Sequence, residues 1–225
     1  MSEPKKILLS KISRRSRKLS RSASRTFSIH KIMNSPYAGK NPEEWLVVTK
    51  ALIKKHPLSP QEIKEVVLQS WDDIFQSKIG KRGYKIGQDI YPKPQILGFF
   101  LHELIPLEFE KRYPKKWRRE ISAKDKDLIY ITDDNFSIEI KTSSNPQSIF
   151  GNRSYAQESL NGKKGKAGYY LAINFEKCTD TCPTPKILKI RFGWLDHSDW
   201  LGQASATGQQ SRLSRNVENF KLIEL

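Results

Sequence analysis

Residues 126–142 read KDLIYITDDNFSIEIKT, an apolar ribbon with charges at awkward places. Asp127 opens a first strand, and Glu139 and Lys141 lie near the end of a second. Side chains alternate faces along a strand, so Leu128, Tyr130, Phe136, Ile138 and Ile140 can share one apolar face. Asp127, Glu139 and Lys141 then need the other face. Opposed residues of an antiparallel pair lie on the same face, which requires Asp127 to stand across from Glu139 or Lys141. A three-residue tip, Thr132–Asp134, pairs Ile131 with Asn135 and Asp127 with Glu139. Asp133, Asp134 and Asn135 tolerate the left-handed backbone of such a turn. Two carboxylates and a lysine converging there suit a hard divalent cation beside a phosphate and a water.

The remainder of the chain gives this ribbon its context. The 225 residues carry 40 Lys and Arg against 24 Asp and Glu, a net charge of +16, which points to a polyanion, nucleic acid first and an anionic membrane second. No apolar run approaches the roughly 20 residues that span a bilayer. Cys178 and Cys182, the only two cysteines, have no further Cys or nearby His for a zinc site and read as ordinary thiols. Residues 1–28 hold nine Lys or Arg against one acid, Glu3, with serines throughout. That segment lacks the apolar surface to order itself. It reads as a basic, flexible arm gripping phosphate, as a solvated tail, or as an Arg- and Ser-rich transit peptide.

The expected domain covers 29–225, with a helical part at about 41–112. Asn41-Pro42-Glu43-Glu44 and Ser59-Pro60-Gln61-Glu62 are helix starts. The first helix is expected to reach about His56, with Trp45, Val48, Leu52 and Ile53 inward. The second is expected to reach about Ile79, with Ile63, Val66, Val67, Trp71, Ile74 and Phe75 inward. Residues 80–94 read as a loop. A third, unusually apolar helix covers about 95–105 and meets a breaker at Pro106. Glu103 on it is a candidate fourth acid beside the metal, against the plainer reading of a solvent-facing position. No histidine (His30, His56, His102, His197) lies near the ribbon in sequence. Strands are expected at 169–175, 186–194 and 220–225.

DNA-facing candidates follow the ribbon. Asn152, Arg153, Ser154 and Tyr155 are side chains that grip phosphate and sugar, and Lys163 and Lys164 add a basic turn. The polar loop 202–214 carries Gln209, Gln210 and Arg212, types that make bidentate contacts to adenine and guanine. The carbonyl of Ile140 adds an oxygen to those of Asp127 and Glu139. Lys141 is placed to orient water and offset charge on phosphate.

Asp127, eleven intervening residues, then Glu139-Ile140-Lys141 resembles the PD-(D/E)XK nuclease signature, with Lys126 where proline often stands. Together with IFGNRSYAQ at 149–157 and TGQQSRLS at 207–214, it is similar to type II restriction endonucleases of the ScaI-like group over roughly 40–225. The resemblance implies an α/β restriction-endonuclease-like core, a central mixed β-sheet flanked by helices. It implies Mg2+, with Mn2+ substituting, and a homodimer cutting both strands of a palindromic double-stranded DNA site to leave 5'-phosphate and 3'-hydroxyl ends. It implies Asp127 and Glu139 as metal ligands, Lys141 as the catalytic lysine and Glu103 as a fourth member. It further implies a DNA methyltransferase counterpart and a prokaryotic cytoplasm, with no membrane partner. A structure-specific or repair nuclease on the same core, or a nucleic-acid binder without catalysis, remain open readings of the residues.

Overall fold

The computed structural model describes residues 35–157, 165–205 and 207–225. The basic arm at 1–28 and Lys163 and Lys164 lie outside the described residues. Residues Ser35–Leu225 form one compact unit.

Among the described residues three helices come first: α1 (Pro42–Lys55), α2 (Pro60–Gln76) and α3 (Pro94–Arg112). A capping box at Asn41 and the Ser59 hydroxyl start the first two, as expected. Between α2 and α3 the chain forms a short hairpin, β1 (Lys78–Ile79) with β2 (Tyr84–Lys85), where a helix end and a loop were expected. The third helix runs through Pro106 instead of ending there. Proline removes the amide that would bond the carbonyl of His102, at a cost of about 3 kcal/mol. Against this, Leu97, Leu101, Ile105 and Phe109 form one stripe, each at most 1% exposed. At ~1.5–3 kcal/mol per buried side chain, that stripe outweighs the break.

Among the described residues, nine strands and a further helix follow α3: β3 (Trp117–Arg119), β4 (Leu128–Tyr130), β5 (Ile138–Ser143), β6 (Phe150–Asn152), β7 (Gly168–Phe175), β8 (Ile187–Leu195), β9 (Trp200–Gly202), β10 (Gln210–Leu213), α4 (Arg215–Phe220) and β11 (Leu222–Glu224). The central sheet has the order β11-β8-β7-β5-β4-β3, with β5 and β7 parallel and the other pairs antiparallel. This is the expected mixed sheet. A second sheet, β6-β10-β9, arises within what reads in sequence as polar loop.

The two faces of β7 explain the layering. Tyr169, Leu171, Ile173 and Phe175 join the core under α1, α2 and α3, while Tyr170 and Ala172 join a second core with Ile149, Trp200, Leu213, Val217 and Leu222. Both faces are covered, so all eight residues are buried. By register, Glu139 opposes Tyr170 and Lys141 opposes Ala172. Their side chains therefore rise on the face that carries the small sheet, and Ile138 and Ile140 point into the helical core.

Candidate active site

Leu128 pairs with Ile138. One step outward, that register sets Asp127 across from Glu139, as the alternation required. The tip differs from the expected three-residue turn. Strand pairing stops early, the Tyr130 amide donates to Ser137 Oγ at 3.0 Å, and Asp134–Phe136 coil into a 3-10 turn capped by Asp133. The gain is burial: Phe136 stacks on Tyr169 with ring centroids 6.0 Å apart. Lys126 buttresses the same place, being 8% exposed and donating to the carbonyls of Ala167 and Ser137. Gly168 makes room for it, because a Cβ there would lie 1.9 Å from Lys126 Nζ.

The charged groups converge. Asp127 Oδ2 accepts the Ile140 amide at 2.6 Å, fixing the carboxylate against the second strand. Lys141 Nζ donates to Glu139 Oε1 at 2.5 Å and to the carbonyl of Ile140 at 3.2 Å. The ammonium thus stands where two of the three expected metal-facing oxygens meet, so those oxygens already converge on one cation. The donor set is all oxygen, two carboxylates and a carbonyl, which fits magnesium's habit of taking few protein ligands and keeping its waters. Among the described residues, no cluster of three or more His, Cys, Asp and Glu gathers as a fuller metal cage. The side chains of Glu139 and Lys141 are 4% and 13% exposed, so their charges act at low dielectric.

Two further side chains complete the constellation, in roles that have no local signature in the sequence. His102 Nδ1 lies 3.5 Å from Asp127 Oδ1. Helix α3 can bring it there because Gly98, one turn earlier, lies against β5, where a Cβ would meet Thr142 Oγ1 at 2.5 Å. Tyr155, expected at DNA by residue type, turns inward instead. Its hydroxyl donates to Glu139 Oε1 at 2.5 Å, and Lys141 Nζ sits 4.6 Å from its ring centroid. Burial, then the charge of Glu139, hold the phenol far above its ordinary pKa, so it remains a donor.

Glu103 is exposed on α3. It lines a hollow of about 400 Å³ with Phe99, His102, Glu110 and Asp127, and it is His102 that contacts the Asp127 carboxylate. A second hollow, about 550 Å³, shares Phe99 and His102 and is bounded by Thr142, Asn145, Phe150 and Gln210.

The small sheet gathers most DNA-facing candidates. Asn152 pairs with Gln210, and Arg212 with Phe150, all four exposed. Gln209 and Ser154 are also exposed. Arg153 is used differently: its guanidinium donates to the carbonyls of Ser205 and Gly208 at 3.0 and 3.2 Å, clasping the loop before β10. Cys178 and Cys182 are free thiols, and no helix among the described residues is long and apolar enough to cross a membrane.

Residues 35–225 match a family described as ScaI restriction endonuclease. The chain is 48% identical over 197 residues to a Streptomyces caespitosus protein named Type II restriction enzyme ScaI, covering 87% of this chain and 86% of that one. No solved structure matches.

Proposed function

This chain belongs to the ScaI restriction endonuclease family, and from that premise we propose that it is a type II site-specific DNA endonuclease whose active site is built from Asp127, Glu139, Ile140 and Lys141. The supporting observation is the meeting of Lys141 Nζ with Glu139 Oε1 and the Ile140 carbonyl, on the strand opposite Asp127. Asp127, Glu139 and the Ile140 carbonyl hold Mg2+, or Mn2+ in its place. When bound, the cation supplies Lewis acidity at the scissile phosphate and a more acidic water.

The chain's own groups do the rest. Lys141 aligns the attacking water and offsets charge that develops on the phosphate. Asp127 is kept in one orientation by the Ile140 amide and by His102. Glu103 adds a carboxylate to the wall of the hollow in front of Asp127. Asn152, Ser154, Gln209, Gln210 and Arg212 face the duplex, and Lys163 and Lys164 add positive charge for its phosphates. The substrate is a palindromic double-stranded site, cut by a homodimer to 5'-phosphate and 3'-hydroxyl ends. The setting is a prokaryotic cytoplasm, with a methyltransferase protecting the host's own sites.

A Mg2+-dependent digest of plasmid DNA with end mapping tests this reading. Discrete fragments sharing one sequence at their ends support it. Cutting confined to junctions or mismatches would point to a repair nuclease, and duplex binding with no cutting would leave a binder only.

A further inference from the structure

Tyr155 stands on the turn Arg153–Ala156, directly after β6. Behind it lies the surface that offers side chains to DNA, and before it lies the catalytic strand. The connection is stiff at each step. Asn152 and Gln210 are paired across the small sheet. The Arg153 amide donates to the Gln209 carbonyl at 2.7 Å, and its guanidinium holds the carbonyls of Ser205 and Gly208. Two residues on, the Tyr155 ring lies against Gly151, where a Cβ would be 3.2 Å from Tyr155 Cγ, and 5.3 Å from the Trp200 ring. Its hydroxyl then ends on Glu139 Oε1, the same oxygen that accepts Lys141.

The exposed loop before β10 and the Glu139 carboxylate are thus joined through one turn of four residues. A shift of that loop on seating in a DNA groove displaces the Arg153–Ala156 turn, because the turn is bonded to the loop's own backbone. Displacing the turn moves the phenol, and with it the donor that sets how Glu139 is rotated and how Lys141 is shared between Glu139 and the tyrosine ring.

We infer that Tyr155 is a positioning residue that couples occupancy of the loop before β10 to the Glu139–Lys141 pair, so that the site takes its divalent cation tightly only when that loop sits on its target duplex. This rests on the endonuclease reading above. The two functions of the tyrosine separate cleanly: the hydroxyl holds Glu139, and the ring holds the Lys141 ammonium.

The test uses the full chain, its target duplex found by end mapping and synthesised with a non-hydrolysable linkage at the cut position, and the same duplex with one base pair changed. Free Mn2+ is followed by electron paramagnetic resonance as protein is titrated. In the parent, the target duplex is expected to tighten Mn2+ by about tenfold over the altered one, within the usual range of coupling between sites, and Mn2+ tightens the target duplex by the same factor. In Tyr155→Phe that ratio falls to about twofold or less, while duplex affinity without divalent ion and Tm stay at parental values. Tyr155→Ala, which also frees Lys141, lowers kcat further than Tyr155→Phe with little change in KM. A parental ratio in Tyr155→Phe overturns the inference. So does a loss of metal-free duplex affinity matching the loss in Mn2+ binding, which makes Tyr155 a DNA contact. A parent that cuts with Mg2+ but binds Mn2+ equally with both duplexes overturns the coupling and leaves the endonuclease reading intact; a parent that never cuts overturns that reading itself.

Discussion

Lys141 Nζ contacts Glu139 Oε1, and both side chains are nearly buried on the same strand face. Removing either leaves the other's charge poorly compensated at low dielectric, besides removing the group from the reaction. Lys141→Ala and Glu139→Ala are each expected to lower the single-turnover cleavage rate by about 10²–10³-fold or more. Duplex binding measured in Ca2+ should persist in both. Undiminished cleavage in either variant would show that the site lies elsewhere. His102 acts on Asp127 and not on the phosphate, so His102→Ala is expected to cost less, about 10–100-fold in activity or Mn2+ affinity. Parental Mn2+ affinity and rate in that variant would remove His102 from the site. Asp127, Glu139 and Lys141 were legible in sequence because strand alternation and opposition demand one register, and that register is found. His102 was not, since its nearness to Asp127 is made by the packing of α3 on β5 at Gly98, a contact without a local signature. Tyr155 was singled out by residue type for phosphate or sugar, whereas its environment, bracketed by Lys141, Trp200 and Glu139, depends on a second sheet that the polar sequence hides.

At the scale of elements, the junction of α1 and α2 holds the ribbon's tip through one imidazole. His56 is 7% exposed, its Nδ1 accepts the Leu58 amide at 3.2 Å, and its Nε2–H donates to the Phe136 carbonyl at 3.0 Å. That pattern requires the neutral ring, and burial pushes its pKa down to about 4. The unfolded chain binds this proton near pH 6.5, so between 6.5 and 4 the unfolded state holds more protons than the folded one. Stability therefore declines as pH falls through that window, by roughly 3 kcal/mol from this group at one pKa unit per 1.36 kcal/mol. Urea midpoints at pH 7 and pH 4.5 check it: His56→Phe should be less stable than the parent at pH 7 but lose less on acidification. An equal loss in both proteins would assign the acid sensitivity to other groups. Sequence reading recovered the helix starts at Asn41 and Ser59 and a strand at 169–175, because caps and apolar runs are local, while the mixed sheet was legible only through the family resemblance. It missed the continuation of α3 through Pro106 and the assembly of β6, β9 and β10. Both are decided by distant burial: the stripe from Leu97 to Phe109 in the first, and Trp200 and Leu213 against Tyr170 in the second.

The whole molecule presents +16 of net charge to a polyanion, with nine cations in residues 1–28 alone. If about half of these reach phosphates, deleting 1–28 should reduce the slope of log affinity against log salt by about 4; an unchanged slope would make the segment a solvated tail. The number of chains in the working enzyme is open to a sharper test, because a palindrome offers two equivalent strands and one copy brings one catalytic ribbon. Two-fold DNA symmetry is matched at least cost by two-fold protein symmetry, with each copy cutting one strand. Sedimentation on the target duplex should then report two chains of 26.1 kDa each. Mixing parent with an excess of Glu139→Ala gives heterodimers with one competent ribbon, and supercoiled plasmid should accumulate as nicked circles where the parent alone yields linear DNA. Equal amounts of linear product with and without the inactive partner, at a fixed concentration of parent, would mean that a single chain cuts both strands, and the symmetry argument would fall.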